Sequence, residues 1–452
     1  MGKILLKNIG AMMTDCDSED KRGYDLLIDG NRISRIAKGI ELEYGVQVID
    51  CSEYIVIPGL VNTHHHFFQT LTRNIPDVAQ AKLYDWLVFL YEVWKNIDDE
   101  AVYFSSLTAM GELLKSGCTC STDHHYLYSK AMKGDVMATQ FAAASALGMR
   151  FAPTRGSMSL SKKDGGLPPD SVVQSEDAIL ADCERVISRF HDASEGSMRR
   201  IILAPCSPFS VTLNSLKDAA ALAKKHSVRL HTHLCETMDE ENQMLEMYGK
   251  RPLELMDDCG FVGENVFYAH GIWFNDEELE FLKKTKTGVS HCPSSNMRLG
   301  SGICRVREML DMGINVSCGV DGSASNDSSN LLAELRNALL LQRVKYKESG
   351  LTAREAFRIG TINGARTLGF EKAGELREGW LADIAIFPMN DIGYVGAKIS
   401  PVDSLLFTQT RNAVYTIVNG KVVVDHGNLV GMDENYIVSN ANRIAKDLYE
   451  KR

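Results

Sequence analysis

The stretch Pro58-Gly59-Leu60-Val61-Asn62-Thr63-His64-His65-His66 reads as a short apolar strand that stops in a loop carrying His-x-His. Side chains alternate along an extended chain, so His64 and His66 share one face and His65 takes the other. Two imidazoles on one face can hold a single divalent ion, provided that later segments return to supply the remaining ligands.

Downstream of Pro58, short apolar segments alternate with longer stretches of helical periodicity, the rhythm of repeated strand–helix units about a parallel sheet. Seven further strands are expected, at Gly117 to His125, Met149 to Ser157, Arg200 to Pro208, Val228 to Leu234, Asn265 to Gly271, Thr287 to Pro293 and Ile314 to Gly322. Helix candidates between them include Asp99 to Lys115, Gly134 to Leu147, Glu176 to Phe190, Leu213 to His226 and Gly302 to Met312. Eight parallel strands in this order predict an α/β fold, a (β/α)8 TIM-like barrel over residues 58–375, with its sites at the strand C-termini.

The flanks read differently. Residues 1–57 alternate β-like runs with turns, and Asp29-Gly30-Asn31 between two such runs is a hairpin signal. Past the eighth strand, Ser328 to Lys347 and Thr352 to Leu368 look helical, the second opening on a Thr352/Glu355 capping box. β-like runs return at Ala382 to Phe387, Ala413 to Val418 and Lys421 to Val424, the last two joined by Asn419-Gly420. Residues 1–57 and 376–430 are therefore expected to form one small β-sandwich domain, followed by a C-terminal helix at 431–452.

Composition narrows the function. An apolar fraction of 44% and a charged fraction of 24% over 452 residues are those of a globular protein. A net charge of -10 disfavours a nucleic-acid backbone binder and points to small-molecule work. The eleven cysteines are scattered without Cys-x-x-Cys pairing, and no secretory leader precedes them, so a reduced, cytoplasmic setting is expected. The opening residues fail the myristoylation pattern, and no stretch approaches the roughly 20 apolar residues of a membrane helix, so no membrane partner is expected.

Chemistry collects at the predicted strand ends. The fifth reads Arg229-Leu230-His231-Thr232-His233-Leu234-Cys235-Glu236, the sixth Tyr268-Ala269-His270-Gly271 and the eighth Cys318-Gly319-Val320-Asp321-Gly322. A barrel turns these separated positions into one mouth, where His64, His66, His233 and Asp321 could surround one ion and Glu236 and His270 could border it. Such a site leaves room for a water whose pKa the ion lowers from 15.7 toward about 7. Asp321 can accept that water's proton, and Glu236 can protonate a ring nitrogen of a substrate and later serve the leaving group. His270 can orient the attacking oxygen or stabilise the one that develops. His65 and His231 are read as alternating away from the ligands, in packing or supporting roles. His124, His125 and His291 sit near strand ends, and His191, His226 and His426 read as surface residues.

The blocks Pro58 to His66, His231 to Thr237, His270, Gly319 to Asp327 and Gly374 to Asp383, in this order over nearly the whole chain, resemble the amidohydrolase superfamily, in its mononuclear cytosine/guanine deaminase and triazine hydrolase branch. The resemblance implies metal ligands at His64, His66, His233 and Asp321 and a catalytic pair at Glu236 and His270. It also implies a multimer, so a homo-oligomer is expected. Binuclear relatives carry a lysine at the end of the fourth strand; Arg200-Ile201-Ile202-Leu203-Ala204-Pro205-Cys206-Ser207 has none, so one divalent metal is expected. Zinc suits mixed His/Asp sites, and iron(II) would bind the same ligands.

Stretches such as His66-Phe67-Phe68-Gln69-Thr70-Leu71-Thr72-Arg73 and Arg155-Gly156-Ser157-Met158 resemble the part of that branch acting on oxidised purines. The expected reaction is hydrolytic deamination of an amino-substituted oxopurine, 8-oxoguanine first, with guanine or isocytosine behind it. Gln69, Arg155 and Asn326 could bind the carbonyl and ring nitrogens, and Trp86 or Tyr84 could cover the ring face. Equally, Gln69 could cap a turn, and Tyr84, Trp86, Phe89, Tyr91 and Trp94 could be the apolar stripe of a helix. The rival readings are hydrolysis of a chloro- or alkylamino-triazine and a non-catalytic barrel scaffold. The deaminase signature His-x-Glu with Pro-Cys-x-x-Cys is not supplied by Cys292-Pro293-Ser294-Ser295.

Overall fold

In the computed structural model, which describes residues 2–42, 44–408 and 412–452, the apolar run ending at the histidines forms two strands rather than one. Tyr54–Pro58 pairs antiparallel with Ile384–Pro388 outside the barrel, and Leu60–Asn62 begins the barrel. Gly59 joins them where the backbone passes against the second barrel strand: a Cβ there would meet Thr119 Oγ1 at 2.2 Å.

The barrel strands run parallel in sequence order. Leu60–Asn62, Cys118–Ser121 and Arg150–Phe151 form one arc, and Thr154–Ser157, Ile202–Pro205, Arg229–Leu234, Val266–His270, Gly288–His291 and Val316–Cys318 form the other. The third predicted strand is thus split, and Pro153, which has no N–H to give the ladder, lies in the gap. The arcs are bridged there by Thr154 N–H to the Asp123 carbonyl at 2.9 Å. On the opposite side Thr63 N–H donates to Cys318 at 3.1 Å and Asp321 N–H to His64 at 3.0 Å, closing the cylinder beside the first histidine.

Helices wrap the outside with one apolar face inward. In Glu176–Phe190 the buried residues Ile179, Cys183, Val186, Ile187 and Phe190 follow helical spacing, and Ser175 caps the start by accepting from Ala178 N–H. Each large aliphatic or aromatic side chain so buried contributes about 1.5–3 kcal/mol. Asp99–Lys115 and Leu213–His226 begin and end where the sequence places them. The expected helix Thr352 to Leu368 is two helices, Ala353–Gly360 and Ile362–Leu368, broken at Thr361. The Thr361 hydroxyl bonds back to the Phe357 carbonyl at 2.7 Å, which bends the chain there.

Two sheets built from both chain ends share a separate apolar core that includes Leu6, Ile9, Leu26, Ile28, Val56, Ile384, Ile386 and Ile417. The hairpin between Tyr415–Val418 and Lys421–Asp425 turns on Asn419 (φ +51°) and Gly420 (φ +74°), the two positive φ angles a type I′ turn requires. A short helix, Pro401–Phe407, interrupts the tail otherwise read as β-like, and Glu434–Glu450 forms a last helix. Buried Arg150 grips Asp383 through Nε at 2.8 Å and Nη2 at 3.1 Å, locking the third barrel strand to the returning tail. Among the described residues no helix is long and apolar enough to cross a membrane.

Candidate metal centre

His64 and His66 follow the first barrel strand, His233 lies on the fifth, His270 ends the sixth, and Asp321 follows the eighth. Cys235 (φ +53°), His270 (φ +71°) and Asp321 (φ +62°) all adopt the left-handed conformation that side chains disfavour. Strain of about 1–3 kcal/mol each is tolerated there because these kinks turn the strand ends into the mouth. Gly319 lets the eighth strand press on the first: a Cβ would meet His64 Cβ at 2.5 Å.

Hydrogen bonds fix the histidine tautomers. His66 Nδ1 gives its hydrogen to the His124 carbonyl at 2.9 Å, and His233 Nδ1 gives its own to Cys206 at 2.6 Å. His231 Nδ1 donates to the Phe267 carbonyl at 2.9 Å, so its Nε2 is free to accept from His64 Nδ1, 2.7 Å away. Each of the three rings is left with an Nε2 lone pair. His64 Nε2 is buried without any partner, and the Nε2 atoms of His66 and His233 stand 3.1 Å apart. Asp321 Oδ1 lies 3.4 Å from His64 Nε2 and 3.2 Å from His66 Nε2.

Such convergence of lone pairs and a carboxylate fits a cation. Burial brings the His64 pKa down to about 4 and holds His233 well below the usual range, so both are neutral at pH 7. Burial opposes ionisation of Asp321, but the imidazoles of His64, His66 and His270 around it outweigh that and hold its carboxyl well below the usual carboxylate range. Neutral imidazoles beside an ionised carboxylate are the donors that a divalent metal takes. His124 joins His64, His66 and His233 in a set whose ligand atoms lie within 4.8 Å of one another; its Nε2 faces the Ala204 carbonyl at 3.1 Å and its Nδ1 has no partner.

His270 Nε2 is 3.6 Å from Glu236 Oε2 and 3.8 Å from Asp321 Oδ2, and its Nδ1 meets Asn296 Oδ1 at 2.9 Å. Burial raises the Glu236 carboxyl, against the pull of His270, so this group holds a proton more readily than an exposed glutamate. Its backbone is pinned by a residue the sequence reading passed over. Glu240, on the first turn of Met238–Tyr248, accepts from Cys235 N–H at 3.1 Å and Glu236 N–H at 2.9 Å. The spacing Glu-x-x-x-Glu at the start of a helix was the available signal.

A narrow cleft opens over these groups, walled by Gln69, Trp86, Tyr91, Tyr126, Phe209 and Leu299 among others. Gln69 and Trp86 thus border the site. Arg155 does not: it lies in a strand between Thr154 and Gly156 and points outward, where its guanidinium bonds Asp182 at 2.6 Å and Gln174 at 3.0 Å. Asn326 also turns away, toward the Val320 carbonyl and Glu334. Tyr84 packs on Phe209 and gives its hydroxyl hydrogen to Gln243 at the rim. His231 corrects the alternation expected of it, since two residues before His233 means the same face, and its ring supports His64.

The family model described as "Amidohydrolase family" matches residues 55–423. An 8-oxoguanine deaminase of Pseudomonas aeruginosa is 41% identical over 449 residues, covering 99% of each chain. The hydroxydechloroatrazine ethylaminohydrolase of Pseudomonas sp. strain ADP is 38% identical over 412 residues, 90% of this chain and 85% of that one. A crystal structure of atrazine chlorohydrolase from Arthrobacter aurescens complexed with zinc matches with a TM-score of 0.93 at 30% identity, covering 98% of this chain and 100% of that one. The chain belongs to the amidohydrolase family and is a metal-dependent aminohydrolase acting on heterocycles.

Proposed function

We propose that the chain deaminates an amino-substituted oxopurine by hydrolysis, with 8-oxoguanine as the leading substrate and guanine or isocytosine behind it. The reading rests on one observation: Glu236, raised by burial, and the His270–Asp321 pair surround the floor of a cleft walled by aromatic and aliphatic side chains. The 41% identical 8-oxoguanine deaminase supports this choice of substrate.

A single zinc ion, held by His64, His66, His233 and Asp321, would supply a water acidic enough to attack near neutral pH. Asp321 takes up the proton that this water loses. Glu236 gives its own proton to the ring nitrogen beside the amino-bearing carbon, so that nitrogen receives the displaced electron pair as the new C–O bond forms. His270 hydrogen-bonds the incoming oxygen and holds it against the ring. The proton from Asp321 then passes to the amino group; as the C–N bond breaks and ammonia leaves, the added hydroxyl becomes the carbonyl and returns its proton to Glu236.

Ammonia release from purified protein over aminopurines, pterins, isocytosine and triazines tests the proposal. Turnover of 8-oxoguanine is expected, falling by at least a hundredfold in Glu236→Gln with zinc content unchanged. Displacement of an alkylamine from a triazine, without purine turnover, would favour the rival that the 38% identical ethylaminohydrolase brings forward. We further place the enzyme in the cytoplasm, in keeping with its free and mostly buried cysteines. A homo-oligomer fits the strong exposure of Ile392, Val395 and Ile399, and sedimentation would reveal it.

A further inference from the structure

Tyr91 lies on the helix Leu83–Trp94, which contributes one wall of the cleft. Its ring is held edge-on by Trp94 at 5.9 Å, and Trp94 is held in turn by Phe68 at 5.1 Å and Trp86 at 5.5 Å. The residue is 1% exposed, yet its hydroxyl has no hydrogen-bond partner. An unbonded buried hydroxyl is unfavourable, and a phenylalanine would fill the same space without that cost.

A second wall residue shares the condition. Tyr126 reaches the Gln69 side chain, but the buried Gln69 carbonyl oxygen has no donor. Gln69 is seated against the Asp321 loop, because residue 322 is glycine: a Cβ there would meet Gln69 Oε1 at 1.9 Å. Both residues line the cleft, so its wall holds one acceptor and one hydroxyl without a partner, beside the apolar surfaces of Leu87, Phe209 and Leu299.

We propose that Tyr91 determines specificity by donating its hydroxyl hydrogen to an exocyclic oxygen of the heterocycle, while Gln69 accepts from a ring N–H, so that the site selects lactam-bearing rings. The inference rests on the aminohydrolase reading and adds what that chemistry leaves open. Glu236, His270 and Asp321 act on the amino-bearing carbon and the nitrogen beside it, and nothing in their roles calls for an oxygen elsewhere on the ring. Burial holds the Tyr91 hydroxyl well above the usual tyrosine range, so it keeps its hydrogen at neutral pH.

Zinc-loaded wild type and Tyr91→Phe, compared with two ligand pairs, test this. On turnover, Tyr91→Phe is expected to lower kcat/KM for 8-oxoguanine about tenfold, the effect of one lost hydrogen bond, and to change that for 2-aminopurine, which has no ring oxygen, by less than twofold. On binding, urate is expected to weaken about tenfold and purine to be unchanged; neither has an amino group to lose. Zinc content should match wild type and the melting temperature of the ligand-free protein should be no lower, since the substitution keeps the ring and removes an unbonded hydroxyl. Equal losses within a pair, no loss at all, or a wild type that binds urate no better than purine would overturn the role of Tyr91. A retained binding preference without turnover of any aminopurine would instead overturn the proposed reaction and leave the selectivity of Tyr91 standing.

Discussion

The Nε2 atoms of His66 and His233 stand 3.1 Å apart although each ring has given its Nδ1 hydrogen to a backbone carbonyl. Two lone pairs at that distance repel unless a cation or a proton lies between them. Chelator-stripped protein is therefore expected to lose activity and to melt at a lower temperature, and added zinc should restore both. At a free zinc concentration one hundred times Kd the gain in stability is about 2.7 kcal/mol. Calorimetry of the stripped and reloaded protein checks this; identical melting curves would remove the ion from the architecture.

How much of this centre could be read beforehand depended on the range of the signal. His64, His66, His233, His270 and Asp321 stand at strand ends whose periodicity is local, so the barrel rule alone gathers them at one rim. Arg155 and Asn326 fail because their partners, Asp182 and Glu334, come from helices whose placement no local pattern gives. Thr361 breaks a helix through its own side chain, and Gly59 divides a continuous apolar run where another strand passes close by. Both are effects of contact, invisible to hydrophobic spacing.

His231 shows what such hidden contacts do. It carries the hydrogen-bond relay from the Phe267 carbonyl to His64, and it stacks on the Phe267 ring at 4.1 Å. His231→Phe keeps the stack and removes the acceptor, leaving His64 Nδ1–H unbonded and its ring free to change tautomer. Zinc affinity is expected to fall 10–100-fold. Competition titration against a chromogenic chelator measures it, and an affinity within twofold of wild type would show that the relay does not orient His64.

Glu240 acts one step further out. Its carboxyl group accepts from the Cys235 and Glu236 N–H groups, at the left-handed kink from which Glu236 enters the cleft. Glu240→Gln turns an amide NH2 toward one of those N–H groups and loosens the kink. The expected result is a kcat at least tenfold lower, with KM and bound zinc little changed, since only the delivery of the Glu236 proton suffers. A rise in KM with kcat intact would place Glu240 in substrate binding instead.

Stability should also depend on pH through Glu334, which is buried behind the Asp321 loop and accepts from Ser294 N–H at 2.8 Å. Burial pushes its pKa from 4.5 up to about 8, against the lowering effect of the Ser294 bonds. In the unfolded chain the group ionises near 4.5, so between there and about pH 8 the unfolded state binds fewer protons than the folded one. Stability from this group is thus complete below pH 4.5 and is lost as pH rises toward 8, at a slope of up to about 1.4 kcal/mol per pH unit. Glu334→Gln keeps an acceptor for Ser294 but has no proton to lose. Denaturant titrations of the zinc-loaded protein from pH 5.5 to 8.5 should therefore show a shallower decline for Glu334→Gln than for wild type, Glu240 supplying part of the slope that remains. Parallel declines in the two proteins would mean that Glu334 is ionised throughout, with the Ser294 bonds outweighing its burial.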